Sequence, residues 1–317
     1  MALAGGTGAA KLLRGLAPRV PPGALTIVVN TGDDASVWGL HVSPDLDTVC
    51  YALAGVLDEG KGWGLADESF HALDQIARFG EPTWFSLGDR DLATHLHRTR
   101  LLRAGRSLSE VTRGIASALG VRATVLPMSD QAVPTRVRTP EGWLDFQEYF
   151  VREKAQVEVL EVVHAGAETA RPAPGVVSAI TEADVVLVCP SNPVTSIGPI
   201  LAIPGIRAAL AETAALTLAV SPLVAGQPVS GPAGRLMAAR GLPVSAEGVA
   251  RSYHDWLAVL VIDEQDAGEA AAVEALGIRA VSARTLMRTR EDESALARRT
   301  LEIAAGGGRT GGRARRA

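Results

Sequence analysis

The residues with the clearest chemical meaning are a cluster of glycines close to the amino terminus. Gly5, Gly6, Thr7 and Gly8 follow a short apolar run and precede a helical pattern that contains Lys11. Glycine lets the main chain approach an oxyanion closely, and the N-terminus of the following helix offers free N–H groups and a partial positive charge. The segment therefore predicts a nucleotide or phosphate cradle. It matches neither G-x-G-x-x-G nor G-x-x-x-x-G-K-[ST], so a plain tight turn is the alternative.

Four aspartates within fifteen positions form a second group. Asp33 and Asp34 follow a predicted strand, whereas Asp45 and Asp47 lie at a predicted helix start. Mg²⁺ takes hard oxygen ligands and keeps several waters, so these carboxylates suit it. The alternative is a purely local role, because aspartate commonly caps helices and forms turns.

Residues 88–91 open a further predicted helix and place an arginine, Arg90, beside Asp89. An arginine at a helix start can clamp a phosphate or pair with a carboxylate, and an ordinary surface ion pair is the alternative. His95 and His97 lie two positions apart on this helix and so face different directions. We therefore interpret these histidines as having separate roles, not as a metal-binding pair.

Two later loops are rich in hydroxyls, amides and glycine. Residues 190–199 include Ser191 and Asn192, and residues 228–235 include Ser230 and Gly231. Such groups are what an uncharged cradle for a diphosphate or a nucleobase requires. Either loop alone has the alternative of a proline-rich turn. Their places after successive predicted strands favour one shared site. No Ser-His-Asp or Cys-His arrangement is indicated by the spacings.

Short runs that are apolar at nearly every position separate these loops. They are typical of strands buried on both faces of a parallel sheet. Open α/β sheets bind ligands outside the carboxyl ends of their strands, where the polar loops fall. Ser107 and Glu110 also have the spacing of a capping box. The sequence thus predicts an α/β fold with strands at 25–30, 185–189, 216–220, 257–262 and 279–282 and helices at 45–57, 89–103, 107–119, 197–210 and 268–276.

Between residues 60 and 154 the pattern becomes mainly helical, with a short β-like stretch at 142–150. We interpret this interval as a subregion inserted over one end of the sheet, within a single domain that spans 1–305. The last residues, 306–317, are mostly glycine and arginine and cannot build a core. They are predicted to form a disordered tail without function.

Composition limits the classes of partner. The 317 residues carry a net charge of −4 with a pI near 5.9, which argues against nucleic acid as the main partner. No apolar run approaches a membrane span and no secretory signal precedes the glycines, so we expect a soluble, cytoplasmic protein without a membrane partner. Cys50 and Cys189 are too few for a disulfide framework or a cysteine metal site.

Six segments occur in the order found in the CofD family, the 2-phospho-L-lactate or phosphoenolpyruvate transferases of deazaflavin coenzyme (F-420) biosynthesis. The resemblance covers about residues 1–300. The segments that carry it are AGGTGAAKLLRGL at 4–16, SPDLDT at 43–48, LGDRDLATH at 87–95, PMSD at 127–130, SNPVTSIGP at 191–199 and VSGPAGRLM at 229–237.

This resemblance implies a Rossmann-like three-layer sandwich that is usually a homodimer. It implies Mg²⁺-dependent transfer of a phosphoenolpyruvyl or 2-phospho-L-lactyl group from a guanosine diphosphate-linked donor to the deazaflavin alcohol Fo, with release of GMP. Only residues 1–4 precede the glycines, where family members usually have a full strand. We therefore expect the natural start to lie further upstream.

The resemblance also implies roles for the candidate residues. Asp47 and Asp45 would be catalytic, with a carboxylate accepting the proton of the Fo hydroxyl, and both would join Asp34 at the metal. Fo would contact Asp47, Thr48, Asp89 and Arg90. The guanosine diphosphate part would bind to Gly5, Gly6, Thr7, Gly8, Lys11, Ser191, Asn192, Ser230 and Gly231.

Two other functions compete with this interpretation. A nucleotide-sugar-binding regulator of the related gluconeogenesis-factor group shares the glycine opening, but residues 43–48 and 88–95 favour the transferase. A dinucleotide-dependent oxidoreductase is disfavoured by the imperfect fingerprint. The two donors differ by two hydrogens, and the loops do not discriminate between them.

Overall fold

The computed structural model describes residues 1–307, and a parallel sheet of seven strands lies at its centre. Three small antiparallel sheets lie in the connections between its elements. The strands are β1 (Ala2–Ala4), β2 (Thr26–Val29), β3 (Ala35–Val37), β4 (Leu40–Val42), β5 (Thr124–Pro127), β6 (Thr135–Thr139), β7 (Gly142–Asp145), β8 (Glu161–His164), β9 (Val185–Val188), β10 (Leu216–Val220), β11 (Leu223–Val224), β12 (Gln227–Pro228), β13 (Val259–Asp263) and β14 (Arg279–Ala283).

The central sheet has the order β14-β13-β10-β9-β1-β2-β5. β1 pairs with β2 on one side and with β9 on the other, and the chain leaves β1 towards the β2 side. Successive strands are thus added first on one side of β1 and then on the other. In a doubly wound sheet this reversal opens a crevice at the carboxyl ends of the two central strands, which is where ligands bind.

Both faces of this sheet are covered by helices, which explains the continuous apolar character of its strands. In β1, Leu3 packs into the core on one face, whereas Ala2 and Ala4 pack into the core on the other. In β2, Val28 packs into the same core as Leu3, and Ile27 packs into the same core as Ala2 and Ala4. Side chains alternate between the faces of a strand, so a strand buried on both faces must be apolar throughout.

The helices form the two outer layers. α1, α2, α5 and α12 contribute to the core on one face, and α6, α7, α8 and α10 contribute to the core on the other. Their bounds are α1 (Thr7–Leu16), α2 (Pro44–Ala54), α3 (His71–Arg78), α4 (Asp89–Arg103), α5 (Leu108–Ala118), α6 (Val176–Thr181), α7 (Ile197–Ala202), α8 (Ile206–Glu212), α9 (Ala233–Ala239), α10 (Ala246–Tyr253), α11 (Ala270–Glu274) and α12 (Arg290–Gly307).

The predicted fold class, an α/β three-layer sandwich with a mostly parallel sheet, is confirmed. The capping box of α5 is present, with Ser107 and Glu110 each accepting a main-chain N–H of the other. The predicted helix over 197–210 is two helices, α7 and α8, because Pro204 and Gly205 lie between them and Gly205 has a φ of 89°. A proline removes a main-chain donor and a left-handed residue ends the helical path.

The interval 60–154 is less helical than predicted. It contains α3, α4 and α5, but also β6 and β5, and β5 pairs with β2 at the edge of the central sheet. β5 has only four residues and ends in a proline, a residue that sheets accept at their edges. The β-like stretch at 142–150 is a strand only as far as Asp145 and continues into a helical turn over Glu148–Arg152.

Most of the predicted glycine- and arginine-rich tail, residues 308–317, lies outside the described residues. Within residues 1–307, no helix combines the length and the apolar character that crossing a membrane requires.

Candidate active site

A cavity of about 660 Å³ lies at the carboxyl ends of the central strands, at the point where the strand order reverses. The loops after β1, β2, β9, β10 and β14 all reach it, and the segment 61–87 adds a further wall. Of the predicted site residues, those that line the cavity are Gly6, Thr7, Gly8, Lys11, Asp45, Asp47, Thr48, Ser191, Asn192, Ser230 and Gly231.

The glycine loop places the start of α1 at this cavity. Gly6 is the N-cap, and no side chain caps the helix. Its first main-chain bond runs from the Ala10 N–H to the Gly6 carbonyl, at 3.0 Å, so the N–H groups of the first turn have no partner within the helix. Gly5 lies behind this turn and donates its N–H to Ser191 Oγ at 3.2 Å. The start of α1 can therefore bind an oxyanion.

The loop after β9 faces the glycine loop. The Oδ1 of Asn192 accepts the Val194 N–H at 2.9 Å and the Thr195 N–H at 3.4 Å, which fixes the turn and presents the rest of the amide at the cavity. The Ser230 and Gly231 turn lines the cavity from the direction of β10, with Gly231 at a φ of 71°. These groups are neutral donors and acceptors, as predicted for a cradle around a nucleotide.

The glycines are needed because chain segments cross closely. A side chain at Gly8 would collide with the Pro190 carbonyl oxygen, and one at Gly5 would collide with Ser196. At Gly6, an added Cβ would lie 2.8 Å from Asp45 Oδ1. The glycine loop therefore permits the contact between α1, the loop after β9 and the start of α2 that forms the cavity.

If the start of α1 holds the guanosine diphosphate part that the family resemblance implies, Gly8→Ala should weaken the binding of guanosine nucleotides by at least about tenfold, because the start of α1 must move away from Pro190. Titration calorimetry with GDP measures the effect. Gly114→Ala is the matched control, since Gly114 also lies in a helix and an added Cβ there meets nothing within 4 Å. Equal GDP affinities for the two variants would contradict this role of Gly8.

Two buried carboxylates, Asp33 and Asp45, both line the cavity. Burial raises the pKa of Asp33, and the neighbouring Asp45 carboxylate raises it further. Burial also raises the pKa of Asp45 to about 7 against the lowering by the Asn30 amide, which donates to Asp45 Oδ2 at 2.9 Å. Asp33 Oδ1 is buried without a hydrogen-bond partner. A cation held by these carboxylates would satisfy that oxygen and reduce the repulsion.

Asp34, which was predicted at the metal, does not line the cavity. Its Oδ2 accepts hydrogen bonds from Ser43 Oγ and from His41 Nε2, both at 2.9 Å. Asp33 occupies the cavity wall instead. Within residues 1–307, no three His, Cys, Asp or Glu side chains come together as a complete metal site. Two carboxylates nevertheless suit Mg²⁺, which is usually held by one or two carboxylates together with substrate phosphates and water.

Asp47 lines the cavity from the first turn of α2 and is held there by Arg98 of α4, a residue that the sequence did not single out. Arg98 Nη1 donates to Asp47 Oδ2 at 3.0 Å, and Nη2 donates to Oδ1. Only 1% of Arg98 is exposed. A bidentate ion pair of this kind fixes the plane of the carboxylate as well as its position.

His95 extends the same network and is itself 1% exposed. Its Nδ1 lies 3.2 Å from Arg98 Nη1. Because a guanidinium can only donate, Nδ1 is the acceptor in this contact, and Nε2 lies 3.3 Å from Asp91 Oδ1. Asp91 accepts a hydrogen bond from the Tyr51 hydroxyl at 2.7 Å. The contacts that join α2 to α4 under the cavity are therefore those of Tyr51 with Asp91 and of Asp47 with Arg98.

The first residues of α4 do not reach the cavity. Asp89 accepts hydrogen bonds from Ser69 Oγ and from the main-chain N–H groups of His71 and Ala72, so it caps α3. Arg90 Nη1 donates to the Ala66 carbonyl at 2.9 Å. Both residues fasten the segment 66–72 to α4, and neither lines the cavity.

We predict that Arg90→Ala changes the KM for Fo by less than about threefold, as expected for an exposed side chain outside the binding site. Steady-state kinetics at saturating donor measures it. A KM raised by tenfold or more would support the contact with Fo that the resemblance implies.

Aromatic residues form the remaining wall of the cavity. The chain has five Trp, five Phe and three Tyr, and of these Tyr51, Trp63, Trp84, Phe85, Phe146 and Phe150 line the cavity. The rings of Phe146 and Phe150 are stacked with centroids 5.7 Å apart, and Trp84 meets Phe85 edge to face at 5.8 Å. The sequence offered only the concentration of tryptophans at 60–154 as a signal. Such a wall can accept a flat aromatic ligand.

Comparisons with known proteins agree with this geometry. The family model described as 2-phospho-L-lactate transferase CofD matches residues 1–293. A phosphoenolpyruvate transferase of Streptomyces griseus is 45% identical over 95% of this chain and 97% of its own length. A 2-phospho-L-lactate transferase of Methanosarcina acetivorans is also 45% identical, over 93% of this chain and 95% of its own.

Among solved structures, a UPF0052 family protein from Bacillus halodurans has a similar fold. The TM-score is 0.64, with 95% of this chain and 97% of that chain covered. The sequence identity is 18%, so this likeness concerns the fold alone.

Proposed function

The chain belongs to the CofD family, and from that premise we propose that it transfers a substituted phosphoryl group from a guanosine diphosphate-linked three-carbon acid to the deazaflavin alcohol Fo. The product is a phosphodiester, and GMP leaves. The observation that carries this proposal is the meeting, in one cavity, of an uncapped helix start, two buried carboxylates and an aromatic wall. These are the features needed by a diphosphate, a divalent cation and a flat acceptor ring.

The donor is proposed to lie along the glycine loop. Its diphosphate faces the N–H groups at the start of α1, and its guanosine faces Ser191, Asn192 and the Ser230 turn. This assignment rests on the neutral character of the two loops and on the helix terminus, which favours anions.

The acceptor is proposed to place its ring against the aromatic wall and its terminal hydroxyl at Asp47. The hydroxyl oxygen attacks the phosphorus next to the acid, the bridging P–O bond breaks, and GMP carries away the bond's electron pair. The hydroxyl proton passes to an aspartate, for which Asp47 is the proposed acceptor. Arg98 uses one lone pair on each Asp47 oxygen and leaves others free.

Asp33 and Asp45 would hold Mg²⁺, which would supply neutralisation of the diphosphate charge. Asp45 thus serves the reaction through the cation in this proposal, and Asp34 supports the wall from outside. We further propose, in line with the resemblance, that the protein acts as a homodimer in the cytoplasm.

Either three-carbon donor is compatible with this proposal, because relatives named for phosphoenolpyruvate and for 2-phospho-L-lactate are equally similar. The experiment that tests the function supplies the purified protein with Fo, Mg²⁺ and each synthetic donor in turn. We expect equimolar GMP and a product with the mass of Fo plus the substituted phosphoryl group. Absence of both products with either donor would contradict the proposal.

A further inference from the structure

Among the lysine and arginine residues of 1–307, two line the cavity, namely Lys11 and Lys61. They face several carboxylates, since Asp33, Asp45 and Asp47 also line it. The proposed donor brings further negative charge, from its diphosphate and from the carboxylate of its three-carbon acid. Each cationic side chain in the cavity is therefore expected to have a defined anionic partner in the complex.

Lys61 lies beside the start of α1 although it is far from it in sequence. The neighbouring Gly62 carbonyl accepts a hydrogen bond from Thr7 Oγ1 at 3.0 Å, and Thr7 is the first residue of α1. The Nζ of Lys61 lies 5.1 Å from the ring centre of Phe70 and 5.5 Å from that of Trp63. Two aromatic faces thus hold the ammonium at the rim of the cavity, next to the phosphate cradle.

The present partner of Lys61 is a weak one. Its Nζ pairs with Asp58 at 2.9 Å, and 38% of the lysine side chain is exposed. Exposed ion pairs contribute little free energy. Lys61 can therefore leave Asp58 and pair with an anion of the donor at a small cost in free energy. Lys11, in contrast, donates from Nζ to the Met287 carbonyl at 3.1 Å. Lys61 is the more available cation for a newly bound group.

We propose that Lys61 binds the carboxylate of the three-carbon acid and so selects a charged donor. This inference rests on the proposed function. In that function the diphosphate would already have the start of α1 and the cation that Asp33 and Asp45 would hold. The carboxylate sits on the carbon that bears the transferred phosphoryl group, so it must lie close to the reacting phosphorus and to the start of α1. Lys61 is the cation placed at that point outside the diphosphate cradle.

The test combines a change of residue in the protein with a change of charge in the donor. Lys61→Met and the wild type are each assayed with the lactyl donor and with its carboxamide, which keeps the size but not the charge. We expect Lys61→Met to lower kcat/KM by about 10- to 100-fold for the acid donor, as for loss of one charge-assisted hydrogen bond, and by less than about threefold for the carboxamide. The KM for Fo should not change.

Two further variants control for structure. Lys61→Arg retains the charge and should retain most activity, whereas Asp58→Asn removes the ion pair of Lys61 without removing the cation. If Asp58→Asn reproduces the loss seen in Lys61→Met, the lysine acts only by holding its own segment, and the proposal is overturned. Thermal unfolding of each variant reports any change in stability.

Equal losses on the acid and on the carboxamide would also overturn the proposal, because Lys61 would then serve the diphosphate or the acceptor. A wild type that turns over neither donor would instead contradict the proposed function itself. In that case the wild type and Lys61→Met are compared by calorimetry for binding of the two donors. A preference of the wild type for the acid donor that Lys61→Met lacks would uphold the role of Lys61.

Discussion

Asparagine in place of Asp47 is expected to lower turnover by about 10²- to 10⁴-fold, the range associated with loss of a general base. Asp47 lies in the first turn of α2 and lines the cavity. The acceptor is an unactivated alcohol, so a positioned group must take its proton as the new P–O bond forms. Asparagine keeps the size and one acceptor oxygen but cannot take the proton.

The pair with Arg98 determines how this experiment must be designed. Both partners are buried, and removal of one partner of a buried ion pair typically costs about 3–5 kcal/mol because the other charge is left unpaired. The single variant therefore loses stability as well as a base. The double variant Asp47→Asn with Arg98→Gln removes both charges and should recover part of the free energy of unfolding.

The two variants together separate catalysis from folding. If Asp47 is the base, the double variant stays as inactive as the single one even where its unfolding midpoint recovers. Recovery of turnover in the double variant would show that Asp47 serves only to neutralise Arg98. Near-normal turnover with a raised KM for Fo would make Asp47 a binding residue and place the base elsewhere.

The features that the sequence predicts well are those determined by residues that are adjacent in the chain. The strands of the central sheet are buried on both faces, so 185–189 is apolar throughout and 216–220 is apolar except at Thr217, and both stand out as strands. The glycines at 5–8 and the polar loop that begins at Ser191 each follow such a strand. The topology of a parallel sheet then brings them to one edge, which is why these two loops could be placed at one shared cavity before the fold was known.

The features that the sequence does not predict are contacts between distant segments. Arg98 reaches Asp47 across 51 positions, and nothing in the helical pattern of 89–103 distinguishes it from the other arginines there. The choice of Asp33 over Asp34 for the cavity wall depends on the local path of the chain after β2. Arg90 is a similar case, because its attachment to Ala66 follows from where the segment 66–72 packs.

Removal of divalent cations is expected to abolish activity, by about a thousandfold or more, and Mg²⁺ or Mn²⁺ should restore it. The expectation follows from the electrostatics of Asp33 and Asp45. Burial raises the pKa of both carboxyls, and Asp33 Oδ1 has no hydrogen-bond partner. A bound cation would offset this penalty on the ionised carboxylates and would also neutralise charge on the diphosphate. Full release of GMP in excess EDTA would contradict this prediction.

Asparagine variants then test which carboxylates hold the cation. Asp33→Asn and Asp45→Asn should each raise the Mg²⁺ concentration required for half-maximal activity by at least about tenfold, because each replaces a charged ligand by a neutral one. Asp34→Asn is the matched comparison: it alters the adjacent position, but Asp34 bonds to His41 and Ser43 outside the cavity, so its Mg²⁺ requirement should stay near that of the wild type. If Asp34→Asn raises the requirement and Asp33→Asn does not, the cation is held by the set that the family resemblance implies. The loop after β2 would then have to follow a different path, since Asp33 is the member of this pair that lines the cavity in this structure.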